Sequence, residues 1–323
     1  MPAGRVLGVI VIALLIAALF NSAAIVRAGE GMGPGGTRDV VLSIARPLDD
    51  VAGTIGFHLP RKGLDAAFGQ ESKTAGDTEL ESGSTRILKK KAEREERAPR
   101  EYRQPTGRRP LEVLVTGDSE ATFTGERLID QGSDELLEVE TVARNGTGLT
   151  NPSFFNWEVN AEQEVANRDP DAVVMAIGAN DGFNLDSNGQ LYGPMDPEWQ
   201  TEYARRAAVV MRTLSDGGKR PVYWVPPPTA RDDEFNAIYE VQNRAVDEAA
   251  EAVPGARYVD VFNTINGGVY SDQLKIDGRE VVARQSDGVH FTRDGAIVPT
   301  RLLLRAMARD FPALGEGNGA STP

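Results

Sequence analysis

Residues 111–119 read LEVLVTGDS, a short apolar run that ends in a glycine followed by two polar residues. A run of this length, rich in Val and Leu and bounded by a turn signal, is typical of a buried β-strand. The glycine lets the chain turn sharply, so Ser119 is expected at the carboxyl edge of a sheet, where a helix begins. Taken alone, Gly-Asp-Ser is better explained as a simple helix cap.

Strands and helices alternate through the rest of this region. The remaining predicted strands cover 137–142, 172–177, 222–225 and 258–262, and the predicted helices cover 157–167, 198–214, 233–252 and 294–308. This alternation predicts an α/β fold, a three-layer α/β/α sandwich whose central parallel sheet is covered by helices on both faces.

Two further turns follow predicted strands and carry groups that can bind a developing negative charge. Gly148, in the segment 145–149, can present a backbone N–H without a side chain in the way. Asn180, in the segment Gly178-Ala179-Asn180-Asp181, can donate its side-chain amide. Each segment alone fits an ordinary turn with capping residues. Because both follow parallel strands, they are expected at the same edge of the sheet as Ser119.

The sequence contains two histidines, His58 and His290. His290 lies three residues after Asp287, just before the last predicted helix. In a turn, that spacing lets the carboxylate reach one imidazole nitrogen and leaves the other to take a proton from a serine. His58 lies in the N-terminal region, so His290 is the candidate base of this domain.

In this order, the four motifs resemble the blocks of the SGNH (GDSL-like) hydrolase superfamily over about residues 111–310. The matching residues are Gly117-Asp118-Ser119, then Gly148, then Gly178 to Asp181, then Asp287-Gly288-Val289-His290. More narrowly, the segment 147–157 and the three prolines 226–228 are similar to a membrane-anchored bacterial branch described as a domain of unknown function.

The resemblance implies a flavodoxin-like fold and acyl-ester chemistry. Ser119 would be the nucleophile, His290 the base and then the acid, and Asp287 the residue that orients the imidazole. The oxyanion hole would comprise the N–H groups of Ser119 and Gly148 and the side chain of Asn180. This chemistry needs no metal and no organic cofactor.

One residue departs from the pattern of the superfamily. Glu120 follows the serine, where the superfamily usually has an apolar residue. A carboxylate pointing into the site would oppose an oxyanion, whereas one that faces solvent, or forms a hydrogen bond near an acyl pocket, would not.

Aromatic residues supply candidates for substrate contact. Tyr192 and Trp199 lie in an insertion after the third block, and its glycines predict a loop that contacts the substrate. In contrast, Phe154, Phe155 and Trp157 are expected to pack between a helix and the sheet.

The chain before residue 111 is predicted to be a tether. Val6 to Val26 is an apolar run of 21 residues, long enough to span a bilayer. The predicted organisation is a transmembrane anchor or signal peptide over 1–28, a membrane-proximal amphipathic segment over 29–70, a charged disordered linker over 71–110, the hydrolase-like domain over 111–312 and a disordered tail over 313–323.

Composition narrows the function further. The chain has no cysteine, which excludes disulfides, thiolate metal sites and a cysteine nucleophile. Residues 111–323 hold 18 basic and 35 acidic residues, a net charge of −17, so nucleic acid is not an expected partner.

The resulting prediction is an extracytoplasmic serine esterase that removes acyl groups, in particular O-acetyl, from a cell-envelope carbohydrate or related ester. It would be held at the cell membrane by its single N-terminal helix, or be secreted after cleavage. The alternatives are an O-acyltransferase that uses the same three residues, and a non-catalytic binding or scaffold module on the same fold.

Overall fold

A computed structural model describes residues 26, 40–48, 101–132, 135–187 and 190–316. The chain divides into two units, Met1–Leu80 and Glu81–Pro323. In the first unit the described residues include a helix over 40–48, and nearly all of the predicted anchor, amphipathic segment and linker up to residue 100 lies outside the described residues. In the described ranges, none of the helices combines the length and the apolar character needed to cross a membrane.

The second unit is built on a sheet of five parallel strands, which confirms the predicted central parallel sheet. The strands are β1 (Leu111–Gly117), β2 (Leu137–Ala143), β3 (Ala172–Ala176), β6 (Val222–Val225) and β7 (Ala256–Tyr258). Their spatial order is β2-β1-β3-β6-β7. Counting only these five, the order is 2-1-3-4-5, as in flavodoxin-like sheets, whose ligands bind where the order reverses, between β1 and β3.

Helices follow the strands, and two small hairpins interrupt the alternation. The helices are α1 (Glu120–Gln131), α2 (Trp157–Arg168), α3 (Pro197–Ser215), α4 (Asp233–Ala252), α5 (Val261–Thr264), α6 (Ile297–Asp310) and α7 (Ala313–Glu316). The antiparallel hairpins pair β4 (Leu185–Ser187) with β5 (Gln190–Tyr192), and β8 (Gln273–Ile276) with β9 (Arg279–Val282).

Each face of the sheet has its own hydrophobic core. Successive side chains of a strand point to opposite faces, so on β1 Val113 and Val115 pack with α1 and α6. Leu114 points the other way and packs with α2, α3 and α4. Helices therefore cover both faces, and the central strands are buried on both sides, as parallel strands usually are.

Two predicted element boundaries are wrong. The predicted strand 258–262 ends at Tyr258, and Val261–Thr264 is helical instead. The cause is Asp260, whose Oδ1 accepts a hydrogen bond of 2.9 Å from the N–H of Asn263 and so caps a helix. The last long helix starts at Ile297 rather than at residue 294.

The predicted domain limits are also wrong at both ends. Residues 101–110 were expected in the disordered linker, but the Tyr102 ring packs on Phe311 at 5.9 Å between centroids. Gln104 Nε2 also donates to the carbonyl of Asp310 at 3.0 Å. At the other end, Ala313–Glu316 is a helix whose Leu314 is buried, so the predicted tail is wrong for these four residues, while 317–323 lie outside the described residues.

Candidate active site

Ser119 lies at the end of β1, directly before α1. Gly117 makes this turn with φ +141°, and a Cβ at Gly117 would lie only 1.8 Å from the carbonyl oxygen of Ala176. Only glycine fits there, because at this φ a Cβ would point at the backbone of β3. The Ser119 side chain forms no capping hydrogen bond with its helix. Its Oγ instead lies 2.6 Å from His290 Nε2.

His290 is held in turn by Asp287. The imidazole Nδ1 lies 2.7 Å from Asp287 Oδ2. An ionised carboxylate only accepts hydrogen bonds, so Nδ1 carries the proton and Nε2 accepts one from the Ser119 hydroxyl. The structure therefore brings together the three residues that the sequence predicted as nucleophile, base and orienting carboxylate.

The surroundings of Asp287 and His290 shift the pKa of each side chain in the direction that its role requires. Burial opposes ionisation of Asp287, but hydrogen bonds from the N–H groups of Val289 and His290 and from the imidazole outweigh it and hold the pKa of Asp287 below its usual range. Burial also opposes the charged imidazole, but the carboxylates of Glu120 and Asp287 outweigh it and raise the pKa of His290 above 6.5.

Two arginines that no sequence motif singled out hold the loop that carries the histidine. The backbone N–H of Arg231 donates to the carbonyl of Gly288 at 2.9 Å. Arg284 Nη1 donates to the carbonyl of Val289 at 2.8 Å. The Arg284 guanidinium is buried and lies 3.9 Å from the centre of the Phe291 ring. The loop is therefore fixed from both sides.

Asp118 joins the first motif to the third. Its side chain is fully buried, and Oδ1 accepts the N–H of Glu120 at 2.9 Å. Oδ2 accepts the N–H groups of Gly178 and Ala179 at 3.0 and 3.2 Å and the Asn180 amide at 3.3 Å. Burial raises the pKa of Asp118 to about 7, against the stabilising effect of these N–H donors.

The second and third motifs touch each other. Asn180 Nδ2 donates to the carbonyl of Thr147 at 3.1 Å, one residue before Gly148. A Cβ at Gly148 would lie 2.2 Å from Asp181 Oδ1. That same oxygen accepts the N–H and the hydroxyl of Thr150, both at 2.8 Å. The sequence pattern suggested that Asp181 caps a turn, but its carboxylate instead connects the loop after β2 to the loop after β3.

Three N–H donors thus lie on loops at the ends of β1, β2 and β3. In the part of the chain that the structure describes, the backbone N–H groups of Ser119 and Gly148 have no hydrogen-bond acceptor. The Asn180 amide contacts Asp118 and Thr147. Within the described ranges, no group of three His, Asp or Glu side chains is placed to bind a metal ion.

The prediction that Trp199 contacts substrate is wrong. Trp199 lies in the first turn of α3, is fully buried and donates from Nε1 to the carbonyl of Phe183 at 2.8 Å. Its ring stacks on Tyr203 at 4.8 Å. Tyr192 ends β5, is partly buried and packs against the core. The glycines predicted a loop before the helix at 198, but residues 185–187 and 190–192 pair in a hairpin. Trp199 lies in the predicted helix, and both aromatic rings turn inward.

The three aromatic residues before and at the start of α2 differ in whether their side chains are buried. Trp157 is buried and donates from Nε1 to Thr147 Oγ1 at 3.1 Å, and Phe155 packs edge-on against it at 5.0 Å. The packing prediction is confirmed for these two residues. It is wrong for Phe154, which is 64% exposed.

A small cavity of about 20 Å³ lies beside Ser119 and His290. Glu120 lines it, so this residue does not simply face solvent. The side chain is partly buried, and its Oε1 is shielded from solvent without a hydrogen-bond partner. Burial raises the pKa of Glu120, while His290 and Arg284 favour its ionised form.

Comparisons with known proteins give a family and two structural similarities. The model of a family described as "Protein of unknown function (DUF459)" matches residues 112–306, a span that includes all the site residues above. No curated protein matches the chain.

The C-terminal catalytic domain of Streptococcus pneumoniae peptidoglycan O-acetyltransferase A, with a methylsulfonyl adduct, is similar with a TM-score of 0.37 and 16% identity over 62% of this chain and 94% of that one. A gut microbial diltiazem-metabolizing enzyme is similar with a TM-score of 0.39 and 12% identity over 64% of this chain and 49% of that one. At such TM-scores, neither similarity bears on what this chain acts on.

Proposed function

The chain belongs to the SGNH-like DUF459 family, and we propose that it is a serine esterase that forms an acyl-enzyme on Ser119. The observation that carries this proposal is the relay of two short contacts, 2.6 Å from Ser119 Oγ to His290 Nε2 and 2.7 Å from His290 Nδ1 to Asp287 Oδ2. A hydroxyl, a base and an orienting carboxylate in this order are the components of nucleophilic acyl transfer.

In the proposed reaction, Ser119 Oγ attacks the carbonyl carbon of the ester while its proton passes to His290 Nε2. The carbon–oxygen bond to the alcohol breaks, and the alcohol leaves with the proton from His290. Water then gives a proton to His290 and attacks the acyl group, and Ser119 recovers its proton as the acid departs. Asp287 stays ionised and stabilises the imidazolium through both steps.

The negative oxygen of each tetrahedral intermediate needs donors that are already in place. We assign this role to the N–H groups of Ser119 and Gly148 and to the Asn180 amide. The first two have no competing acceptor in the described residues. The two N–H groups of the Asn180 amide contact Asp118 Oδ2 at 3.3 Å and the carbonyl of Thr147 at 3.1 Å, so Asn180 must give up one of these contacts to donate to the oxyanion.

For the substrate, we propose an acyl ester, in particular an O-acetyl ester, of a cell-envelope carbohydrate. The support is the 21-residue apolar run at Val6 to Val26, which is long enough to hold the domain at a membrane; the extracytoplasmic side is part of the proposal and follows the family resemblance. The net charge of −17 over residues 111–323 favours neutral esters over polyanions. An O-acyltransferase would form the same acyl-enzyme but pass the acyl group to a hydroxyl instead of to water.

Labelling of the full chain with a serine-directed fluorophosphonate tests the nucleophile. The native chain is expected to be labelled, Ser119→Ala is not, and hydrolysis of p-nitrophenyl acetate by the variant falls at least about a thousandfold. Ser153→Ala removes an exposed serine of the loop before α2 and is the matched control, expected to retain both labelling and turnover. Equal labelling of Ser119→Ala and the native chain would refute the proposal.

A further inference from the structure

We propose that Glu120 holds the water molecule that hydrolyses the acyl-enzyme, in the small cavity beside Ser119 and His290. This inference rests on the proposed function and deepens it, because it predicts that the acyl group passes to water rather than to another acceptor. Glu120 would then be a positioning residue, which acts on the reaction through the water that it binds.

The cavity has the size and the polar groups that one water molecule needs. Its volume of about 20 Å³ is enough for one water, which also requires two to four polar partners. The polar side chains in its wall belong to Ser119, Glu120, Thr124 and His290. The rest of the wall is apolar and is made of Phe123, Val225, Pro226, Pro228, Val261, Phe291, Ala296 and Pro299.

Among the polar groups of this wall, the Glu120 carboxyl group is the one that most needs a hydrogen-bond donor. Its Oε1 is enclosed by protein and has no hydrogen-bond partner, so the proposal places the water on the other oxygen, Oε2. Thr124 Oγ1 already donates to the backbone carbonyl of Glu120 at 2.8 Å. A buried acceptor without a donor lowers stability. The position is the first residue of α1, where an apolar side chain would fill the cavity, so a carboxyl group there points to a ligand with an O–H or N–H group.

The site supplies the other partner of this water. Because Ser119 and His290 line the same cavity, a water bound to Glu120 lies against the residue that carries the acyl group and the residue that must deprotonate the water. One O–H bond donates to Glu120, and the other breaks as its proton passes to His290 Nε2. The water oxygen forms a bond to the acyl carbon, and that carbon then releases Ser119 Oγ, which takes the proton back.

Charge supports the same assignment. His290 becomes an imidazolium as the water loses its proton, and the carboxylates of Glu120 and Asp287 both raise the pKa of His290 against the effect of burial. The Glu120 charge lies on the imidazole side, and the proposed oxyanion donors Gly148 and Asn180 do not line this cavity. The carboxylate can therefore assist the base from a cavity that excludes two of the three proposed oxyanion donors, and the third, the N–H of Ser119, belongs to a residue of its wall.

The test measures acylation and deacylation separately in the full chain, with p-nitrophenyl acetate as acyl donor and methanol as the competing acceptor. For Glu120→Leu we expect a burst of nitrophenolate equal to the enzyme concentration, followed by deacylation that is roughly ten- to a hundredfold slower. The ratio of methyl acetate to acetate rises. Glu120→Gln keeps an oxygen acceptor and is expected to fall between Glu120→Leu and the native chain.

Glu164→Gln is the matched control. Glu164 is also buried, but it lies on α2 and forms ion pairs with Arg168 of the same helix and with Arg144 after β2. It should leave the product ratio unchanged. If acylation and deacylation fall together in Glu120→Leu, or if the product ratio does not change, the inference is overturned. A native chain that is not labelled by fluorophosphonate would overturn the proposed function itself, so the two failures are distinguishable.

Discussion

Gly148 and Asp181 are in such close contact that a Cβ at Gly148 would lie 2.2 Å from Asp181 Oδ1. The carboxylate cannot move away freely, because Thr150 binds Oδ1 and the Tyr203 hydroxyl donates to Oδ2 at 2.8 Å. A side chain at Gly148 must therefore separate the loops that follow β2 and β3. These loops carry two of the proposed oxyanion donors.

Gly148→Ala is expected to lower the free energy of unfolding by about 1–3 kcal/mol, as overpacking usually does. It should also lower kcat for ester hydrolysis, because the donors at Gly148 and Asn180 move apart. Urea unfolding and p-nitrophenyl acetate kinetics measure the two effects. Gly107→Ala, where a Cβ meets nothing within 4 Å, is the control, and equal effects of the two variants would contradict the prediction.

Stability is expected to fall as the pH rises from weakly acidic to neutral. Burial raises the pKa of Glu120 and of Asp181, and it raises that of Asp118 from 3.8 to about 7. Between the ordinary pKa of Asp118 and its raised pKa of about 7, the folded state therefore binds more protons than the unfolded state. By linkage, this contribution to stability is complete below about pH 4 and is lost as the pH rises through about 7.

Urea unfolding of the native chain at about pH 5 and about pH 8 measures this dependence. We expect the higher free energy of unfolding at the lower pH. The self-repulsion of a chain with net charge −13 acts in the same direction. Asp118→Asn is the comparison that separates the two effects, since it removes one buried titration and should flatten the dependence. A native stability that rises over this range would refute the prediction.

The sequence was sufficient to predict the parallel sheet and the position of the site at its edge, because both depend on local sequence patterns. The apolar runs that end in turns predicted the parallel sheet and its edge, and that edge brought Ser119 next to His290. The direction of individual side chains was not predictable in the same way. Trp199 lies within the predicted helix 198–214, but the sequence did not show that its ring packs into the core instead of contacting substrate.

Longer-range relationships were the least predictable. Asp118 and Asp181 lie in motifs that the sequence singled out, but their role as buried acceptors depends on loops that only the folded sheet brings together. Arg284 binds the loop of His290 from five residues away and stacks on Phe291. No periodic pattern marks an arginine for burial, so this residue could not have been identified from the sequence.

His290 and Asp287 are expected to differ in the size of their effects. His290→Ala removes the base and should lower kcat/KM about as much as Ser119→Ala, while circular dichroism stays unchanged. Asp287→Asn removes the charge that stabilises the imidazolium but leaves the base, so we expect a smaller loss, about a hundred- to ten-thousandfold. Retained turnover in His290→Ala would refute its assignment as base.

The pH dependence of kcat/KM should report the environment of His290. The neutral imidazole is the base, so activity rises as the pH rises through the pKa of His290, which lies above 6.5. Glu120→Gln removes a negative charge that favours the imidazolium, so its inflection should move to lower pH. Glu164→Gln is the control and should leave the inflection in place. An inflection that is unmoved in Glu120→Gln would mean that Glu120 does not act on the imidazole.

Glu120→Leu is expected to stabilise the fold while it slows deacylation. Leucine removes the unpartnered Oε1 and brings apolar atoms against Phe123, Val261 and Phe291 in the cavity wall. Because burial opposes the ionised form of Glu120, an apolar side chain there should raise the free energy of unfolding by about 1 kcal/mol. Urea unfolding should then show a higher midpoint at an unchanged m-value. A lower midpoint would contradict this prediction, because it would show that the contacts of the native carboxyl group outweigh the cost of burying it.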